Sequence, residues 1–472
     1  MKIPLIIDLD HSLIKTDTSW EALRKVLMAQ PKSMLGLFLR ATHGRGTLKN
    51  WLQQKTKYEV RDLPYREEVL NIVRVAQKKK RKVLIYSGAP HDLVLQVAVH
   101  LNLDEGGHRG STPQKNLTRY KAEILTESWG LRGFDYIGDS SNDLETFRAC
   151  RMGWIVGARP ALVRKALRAN PLLKILAPRP PLIRSWWDAA RPHQWIKNIL
   201  IFVPLLAGHQ LMNAEKVLES LIAFVAFCFF STSVYLSNDI LDLDSDRKHR
   251  KKNARPLASG EMTIPEALQA GAICLLLGLG LAVFLGWEFL AWGVAYLALT
   301  QIYNIFAKKK PGFDIVMLAA FYTLRIMAGG AAANIVCSTW LLGFGIFIFF
   351  SLGCAKRVSE LIGVRHEMRA TALGRGYFVG DLSTLSQLGI SSGVLAVLVA
   401  ALFVNSSEVA NLYKKPQLLL LVCPLLLIWV SKIWIVTARG ELSEDPVLYA
   451  MRDKASWILL IAILAVVAFA SN

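Results

Sequence analysis

Residues 235–260 read YLSNDILDLDSDRKHRKKNARPLASG: an apolar run gives way to carboxylates and then to cations. Asp239, Asp242 and Asp246 are spaced i, i+3, i+7, so a continuous helix places them on one face, with the amide of Asn238 beside them. Carboxylates this close repel and do not all ionise without a counter-charge. Mg²⁺ carrying a diphosphate resolves the conflict, because carboxylates hold the metal and the metal holds the phosphates. Arg247, Lys248, Arg250, Lys251, Lys252 and Arg255 then take the remaining phosphate charge. A merely solvated helix end fits less well, since a cytoplasmic end favours cations.

A second constellation lies near the N-terminus. IPLIIDLDHS is a short apolar run ending in Asp8 and Asp10, KVLIYSGAP contains Ser87, and FDYIGDSSND contains Asp139 and Asp143. Lys121, in RYKAEIL, is expected on a helix between the last two. Such apolar runs read as buried parallel strands with their polar residues at the C-terminal edge, where ligands sit in α/β sheets. A carboxylate attacks phosphorus, a second protonates the leaving group, and a hydroxyl and an ammonium hold phosphoryl oxygens. Mg²⁺ on the remaining carboxylates screens nucleophile from phosphate. One DxD alone is more often a turn at a strand end; four elements in order carry the reading.

The elements that must position these groups differ between the halves. Of 472 residues 53% are hydrophobic, and mean hydropathy is +0.33, high for a soluble chain. To about Pro181 charged and apolar residues mix; from Trp186 long apolar runs dominate. Nine spans near the roughly 20-residue bilayer length are expected, at about 195–211, 216–237, 264–285, 287–306, 312–332, 338–356, 386–404, 417–437 and 455–471. Lys and Arg collect in alternate loops, at 247–255, 308–310, 356–375 and 439–454. GWE and AANIVCST, on the other side, carry none, while Lys414 and Lys415 break the pattern. The net charge of +20 thus follows the positive-inside rule rather than nucleic-acid binding, with the N-terminus in the cytoplasm. MKIPLIIDLDHS is too short and too acidic for a signal peptide. The six cysteines have no CxxC spacing, so neither a disulfide framework nor a zinc site is expected.

The expected domains are therefore an α/β Rossmann-like domain at 1–178, a Pro/Arg-rich juxtamembrane linker at 179–194 and an all-α polytopic membrane domain at 195–472. Residues from about 16 to 80 would form a small helical cap, and Trp186, Trp187 and Trp195 suit the membrane interface.

The first half resembles the haloacid-dehalogenase-like phosphatases on the four elements quoted. The resemblance makes Asp8 the nucleophile, Asp10 the acid/base, Ser87 and Lys121 phosphate ligands, and Asp139 and Asp143 metal-side carboxylates; Asp8 and Asp10 also count as metal ligands. Ser12 stands where that family usually has Thr, and Lys115 competes with Lys121 for its role.

From about Arg191 onward the chain resembles the UbiA superfamily of intramembrane prenyltransferases, whose first motif, NDxxDxxxD, is matched by Asn238, Asp239, Asp242 and Asp246, with RPLASG following. A second DxxxD, expected after the fourth span, is not met: Asp314 is followed four residues on by Leu318. Arg325 lies 11 residues beyond Asp314 on the same expected helix, and an intramembrane Arg marks a functional site by default. RPHQWIKN, DIVMLAAFYTLRIMAGG, KRVSEL and GELSEDPV look similar to the branch that includes decaprenyl-phosphate phosphoribosyltransferases. That resemblance implies a substrate site bordered by Arg191, Lys197, Asn198, Lys308, Asp314, Arg325, Lys356, Arg357 and Glu360, beside Asn238, Arg247, Lys251 and Arg255.

The leading expectation is a multi-pass enzyme of the cell membrane that moves phosphoribose from phosphoribosyl pyrophosphate to a polyprenyl phosphate, with Mg²⁺ as cofactor. Its attached phosphatase would remove the 5-phosphate of the product. The alternative is a prenyltransferase that moves a polyprenyl group from its diphosphate to an aromatic or other small acceptor. A basic scaffold or nucleic-acid binder explains neither aspartate set.

Overall fold

The computed structural model describes residues 2–471 apart from 30–50, 53–54, 57–59, 105, 113–116, 250, 367–375, 407–408, 410–411 and 443–444. Much of the expected cap, Lys115 and Arg250 lie outside the described residues. By its internal contacts the chain divides into two units, Met1–Ala190 with Tyr235–Gly271, and Arg191–Val234 with Ala272–Asn472.

The first unit is built on six parallel strands: β1 Leu5–Ile7, β2 Val83–Pro90, β3 Arg109–Ser111, β4 Asp135–Gly138, β5 Gly153–Val156 and β6 Lys174–Leu176. Their order is β3-β2-β1-β4-β5-β6. Alternation within the strands makes two cores, because successive side chains leave opposite faces of a sheet. Leu5, Ile7, Val83 and Ile85 pack with helices Glu67–Lys78 and His91–His100. Ile6, Leu84, Tyr86 and Tyr136 pack with helices Leu117–Trp129, Leu144–Ala149 and Pro160–Ala169. The result is a sheet covered on both faces, as a fully parallel sheet requires. Asp135, wholly buried at the start of β4, is paired by Arg81 at 2.6 Å and Arg151 at 2.8 Å. The chain turns from one sheet direction to the other between β1 and β4, so the C-terminal ends of these two strands flank the switch point.

The expected linker is ordered. Residues Leu182–Ala190 form a helix whose Trp186 and Ala189 join a cluster with Leu236, Leu243, Leu257, Met262 and Ile264 of the same unit. Trp20 joins it too.

Eight helices among the described residues are long and apolar enough to cross a membrane: Ala214–Leu241, Ile264–Leu285, Trp287–Ala307, Phe313–Ala332, Thr339–Arg365, Val379–Val404, Pro416–Ala438 and Lys454–Ser471. They match eight of the nine expected spans, and the chain is a multi-pass membrane protein. The remaining expected span, 195–211, takes another form. Pro192–Phe202 is a 3₁₀ helix of 11 residues, running into an α-helix of 5, Val203–Ala207. A 3₁₀ helix rises about 2.0 Å per residue against about 1.5 Å for an α-helix, so this short segment still reaches roughly 30 Å. The span expected to end at 356 continues to His366, so Lys356, Arg357 and Glu360 stand on a helix rather than in a loop.

In the second unit the 3₁₀ segment and helix Phe313–Ala332 meet backbone to backbone at Gly329, where an added Cβ would lie 2.1 Å from the carbonyl oxygen of Ile201. Gly363, on helix Thr339–His366, has open space in its place. Gly329→Val should therefore lower stability by about 1–3 kcal/mol, as overpacking does. Gly363→Ala should leave stability unchanged or raise it by a few tenths of a kcal/mol, about the gain expected where the backbone already suits Ala. Thermal unfolding of the two variants in detergent decides the point.

Candidate active sites

Asp8 leaves β1 and Asp139 leaves β4, and the register Ile7↔Ile137 sets them side by side at the switch point. The Asp8 amide donates to the Ile137 carbonyl at 2.9 Å. Residues 9–13 then wind into one wide turn, with the amide of Leu13 donating to the Asp8 carbonyl and that of Ile14 to the Leu9 carbonyl. The turn returns Ser12 to the strand ends, where its hydroxyl donates to Asp139 Oδ1 at 3.0 Å. Lys121, on helix Leu117–Trp129, donates to Asp8 Oδ2 at 2.6 Å, Tyr136 Oη at 2.8 Å and Asp143 Oδ1 at 2.9 Å. Ser87, almost wholly buried on β2, accepts from the Ala89 amide at 3.2 Å and favours the charged form of the Asp8 carboxyl.

The carboxylates of this cluster divide by environment. Asp143 accepts from Lys121, from the Tyr136 hydroxyl at 2.5 Å and from the amide and hydroxyl of Ser140. Burial alone would raise its pKa, but Lys121 and Tyr136 hold it below the usual carboxylate value. Asp139 goes the other way: burial, then the charges of Asp143 and Asp8, push it well up. Donor atoms of Asp8, Asp139 and Asp143 lie within 4.8 Å of one another. One ammonium against three carboxylates leaves negative charge over, and a carboxyl forced toward its neutral form is what a divalent cation relieves. The residues fit Mg²⁺. Asp10 stands outside this set, and its Oδ1 accepts from the Thr18 amide at 2.9 Å, capping the start of helix Thr18–Ala29.

The aspartate stretch differs from a continuous helix. The long helix ends at Leu241, Asp242 sits in the turn, and a short helix covers Leu243–Lys248. The amide of Asp242 still reaches the Asn238 carbonyl at 2.8 Å, and that of Asp246 reaches the Asp242 carbonyl at 2.9 Å. Asp239 and Asp246 are buried and share one nitrogen of Arg255, at 3.1 and 2.5 Å. A cation thus stands between two of the three expected metal ligands, and it is an Arg expected at phosphate. Asp246 Oδ1 is buried without a hydrogen-bond partner. Burial pushes the Asp246 carboxyl up against the pull of Arg255. Surplus acceptor capacity next to a bound guanidinium fits a metal as well. Lys251 is exposed.

The second unit holds two polar clusters. Arg325 is 4% exposed and does not reach for the surface. Its Nε donates to Asn198 Oδ1 at 2.8 Å, Nη1 to the Phe321 carbonyl at 2.7 Å and Nη2 to the Tyr296 hydroxyl at 3.3 Å. Its guanidinium carbon lies 4.9 Å from the centre of the Tyr296 ring. All these partners are neutral. In the other cluster Lys197 at 2.7 Å and Lys356 at 3.2 Å converge on Asp445 Oδ2, and the Tyr322 hydroxyl lies 3.4 Å from both carboxylate oxygens. Burial would raise the pKa of Asp445, but Lys356 and Lys197 hold it well below the usual range. An apolar cavity of about 820 Å³ lies among residues that include Val203, Trp340, Leu341, Phe344 and Phe403.

Asp314 and Arg357, both expected at substrate, are spent on each other. Asp314 Oδ2 accepts from Arg357 Nε at 2.5 Å, and its Oδ1 accepts from the Tyr377 hydroxyl at 2.5 Å. Arg357 also donates to Glu360 and to the Tyr303 hydroxyl. The two side chains are 0% and 1% exposed, which is why they neutralise one another. Arg191 takes left-handed backbone at the start of the 3₁₀ segment, and Lys308 is half-buried at a helix end.

Sequence reasoning missed Tyr136, Tyr296, Tyr322 and Asp445. Tyr136 lies in FDYIGD and Asp445 in GELSEDPV, both motifs already singled out. Partners 248 residues apart, such as Lys197 and Asp445, leave no local spacing to read. Removing one member of the Asp314–Arg357 pair strands a buried charge, so Asp314→Ala should cost roughly 3–5 kcal/mol. The double change Asp314→Leu with Arg357→Met should cost much less, and denaturation in detergent compares the two.

Residues 201–452 match the UbiA prenyltransferase family. An uncharacterized protein of Sinorhizobium fredii is 34% identical over 462 residues, covering 97% of this chain and 89% of its own. The nodulation protein NoeC of Azorhizobium caulinodans is 32% identical over 281 residues, 59% of this chain and 91% of its own. The decaprenyl-phosphate phosphoribosyltransferase of Corynebacterium glutamicum is 36% identical over 179 residues, 37% of this chain and 54% of its own. With the match running over more than half its length, the chain belongs to the UbiA prenyltransferase family.

Proposed function

We propose that the chain transfers phosphoribose from phosphoribosyl pyrophosphate to a polyprenyl phosphate, and that its N-terminal unit is a haloacid-dehalogenase-like phosphatase that removes the 5-phosphate from the product. The observation that carries the first step is Arg325. A buried guanidinium whose described partners are all neutral retains a full charge for an anion, and a lipid phosphate is the anion a bilayer supplies. The similarity to decaprenyl-phosphate phosphoribosyltransferases supports the same reading. The apolar cavity among the spans suits an isoprenoid chain.

In this reading an oxygen of the lipid phosphate attacks the anomeric carbon as the bond to pyrophosphate breaks. Lys197 and Lys356, held by Asp445, supply positive charge for phosphate oxygens. Asp239, Asp242 and Asp246 would hold Mg²⁺, which offsets charge on the departing pyrophosphate. In the second step Asp8 attacks the phosphorus of the 5-phosphate, and the ribose oxygen leaves with a proton from Asp10. Water then releases inorganic phosphate from the aspartyl ester. Lys121 orients Asp8 and counters phosphoryl charge, while Asp8, Asp139 and Asp143 would hold the second Mg²⁺. Lys- and Arg-rich loops at 247–255 and 308–310 favour the cytoplasmic face of the cell membrane for the N-terminal unit.

Membranes given phosphoribosyl pyrophosphate and a polyprenyl phosphate test the sequence of steps by mass spectrometry of the lipids. Asp8→Asn should preserve ribosyl transfer and accumulate the 5-phosphorylated lipid. Asp242→Ala should abolish both ribosyl lipids. Dephosphorylated lipid formed by Asp8→Asn at the wild-type rate would assign the phosphatase to another substrate.

A further inference from the structure

We infer that helix Thr18–Ala29 of the phosphatase-like unit positions the aspartate stretch for transfer, with Glu21 and Arg24 as positioning residues. The inference rests on the reading of Asp239, Asp242 and Asp246 as the transferase metal site. Trp20, Glu21 and Arg24 lie at i, i+1 and i+4 on that helix, on one side of it. Glu21 Oε1 accepts from Arg247 Nη2 at 2.6 Å, and Arg24 Nη2 meets Asp244 Oδ2 at 2.6 Å. Arg24 Nη1 also donates to the Ile240 carbonyl at 3.4 Å. Trp20 packs in the cluster that contains Leu236, Ile240 and Leu243.

The held residues interleave with the metal ligands. Ile240 follows Asp239, Asp244 lies between Asp242 and Asp246, and Arg247 follows Asp246. The helix breaks at Asp242, and the contacts fall on both sides of that break. A break leaves the angle between two helices undetermined by backbone hydrogen bonds alone, so side-chain contacts across it fix where the three carboxylates stand. The strength of the hold is unequal. Glu21 is 1% exposed and also accepts from Thr16 at 2.8 Å, so its pair with Arg247 is sheltered from solvent. Asp244 is half exposed, and its pair with Arg24 is correspondingly screened. Asp10 caps the first turn of the same helix, so one rigid element serves both active sites.

The test uses the full-length protein with Glu21→Gln, Arg24→Asp and the reciprocal double change Arg24→Asp with Asp244→Arg. Three readouts are taken: the Mg²⁺ dependence of ribosyl transfer, hydrolysis of p-nitrophenyl phosphate, and tryptic cleavage in the basic stretch 247–252. Glu21→Gln should raise the Mg²⁺ concentration for half-maximal transfer at least about fivefold, within the usual span of coupling between sites, and should speed tryptic cleavage. Hydrolysis of p-nitrophenyl phosphate should persist, which also reports that the unit is folded. The double change should recover much of what Arg24→Asp loses. Unaltered Mg²⁺ dependence and cleavage rate in both single variants would overturn the inference. If the wild-type protein transfers no ribosyl phosphate, the transferase reading fails, and the cleavage arm alone decides whether the helix holds the stretch.

Discussion

A carboxylate withdrawn from water needs a cation beside it, and that constraint organises the buried carboxylate clusters among the described residues. The protein answers it in two ways. Where the cation is fixed and sufficient, the pair is closed, as for Asp314 with Arg357 and Asp135 with Arg81 and Arg151; Lys197 and Lys356 on Asp445 leave positive charge over. Where three buried carboxylates share one fixed ammonium, as Asp8, Asp139 and Asp143 do around Lys121, the arrangement could hold a metal ion. Arg325 is the mirror case, a buried cation whose described hydrogen-bond partners are neutral, which is the basis for proposing an anion there.

The sequence exposes the strand ends well, because a parallel strand buried on both faces is a short apolar run and its first polar residue marks the edge. Asp8 and Asp139 were readable for that reason, and they meet where the sheet order reverses, whereas Ser87 lies within β2, which runs on to Pro90. Most spans were readable too, since bilayer thickness fixes their length. The segment at 192–207 was read as a span, but its 3₁₀ winding was not, because apolar length alone does not distinguish the two helix types. The single face inferred for Asp239, Asp242 and Asp246 assumed an unbroken helix, and nothing in their spacing announces the turn at Asp242.

Counter-charges were the least legible part. Asp314 was expected to border the substrate and is half of an ion pair whose partner stands 43 residues away on another helix. Glu21 and Arg24 carry no motif, and their partners lie more than 200 residues further on. Which cation meets which carboxylate is decided by packing between distant elements, and local spacing does not record it. The cluster that seats Trp20 and Trp186 also holds Leu236, Ile240 and Leu243, so the aspartate stretch packs within the same unit as the parallel sheet.

The identity of the transferred group separates ribosyl transfer from prenyl transfer. Its most direct test follows the ribose of labelled phosphoribosyl pyrophosphate in wild-type membranes, with polyprenyl phosphate present or withheld, while released pyrophosphate is measured. The account predicts ribose label in the lipid phase and an equal amount of pyrophosphate, both dependent on the polyprenyl phosphate. Label confined to the aqueous phase, with a prenyl diphosphate consumed instead to alkylate an aromatic acid, would contradict it.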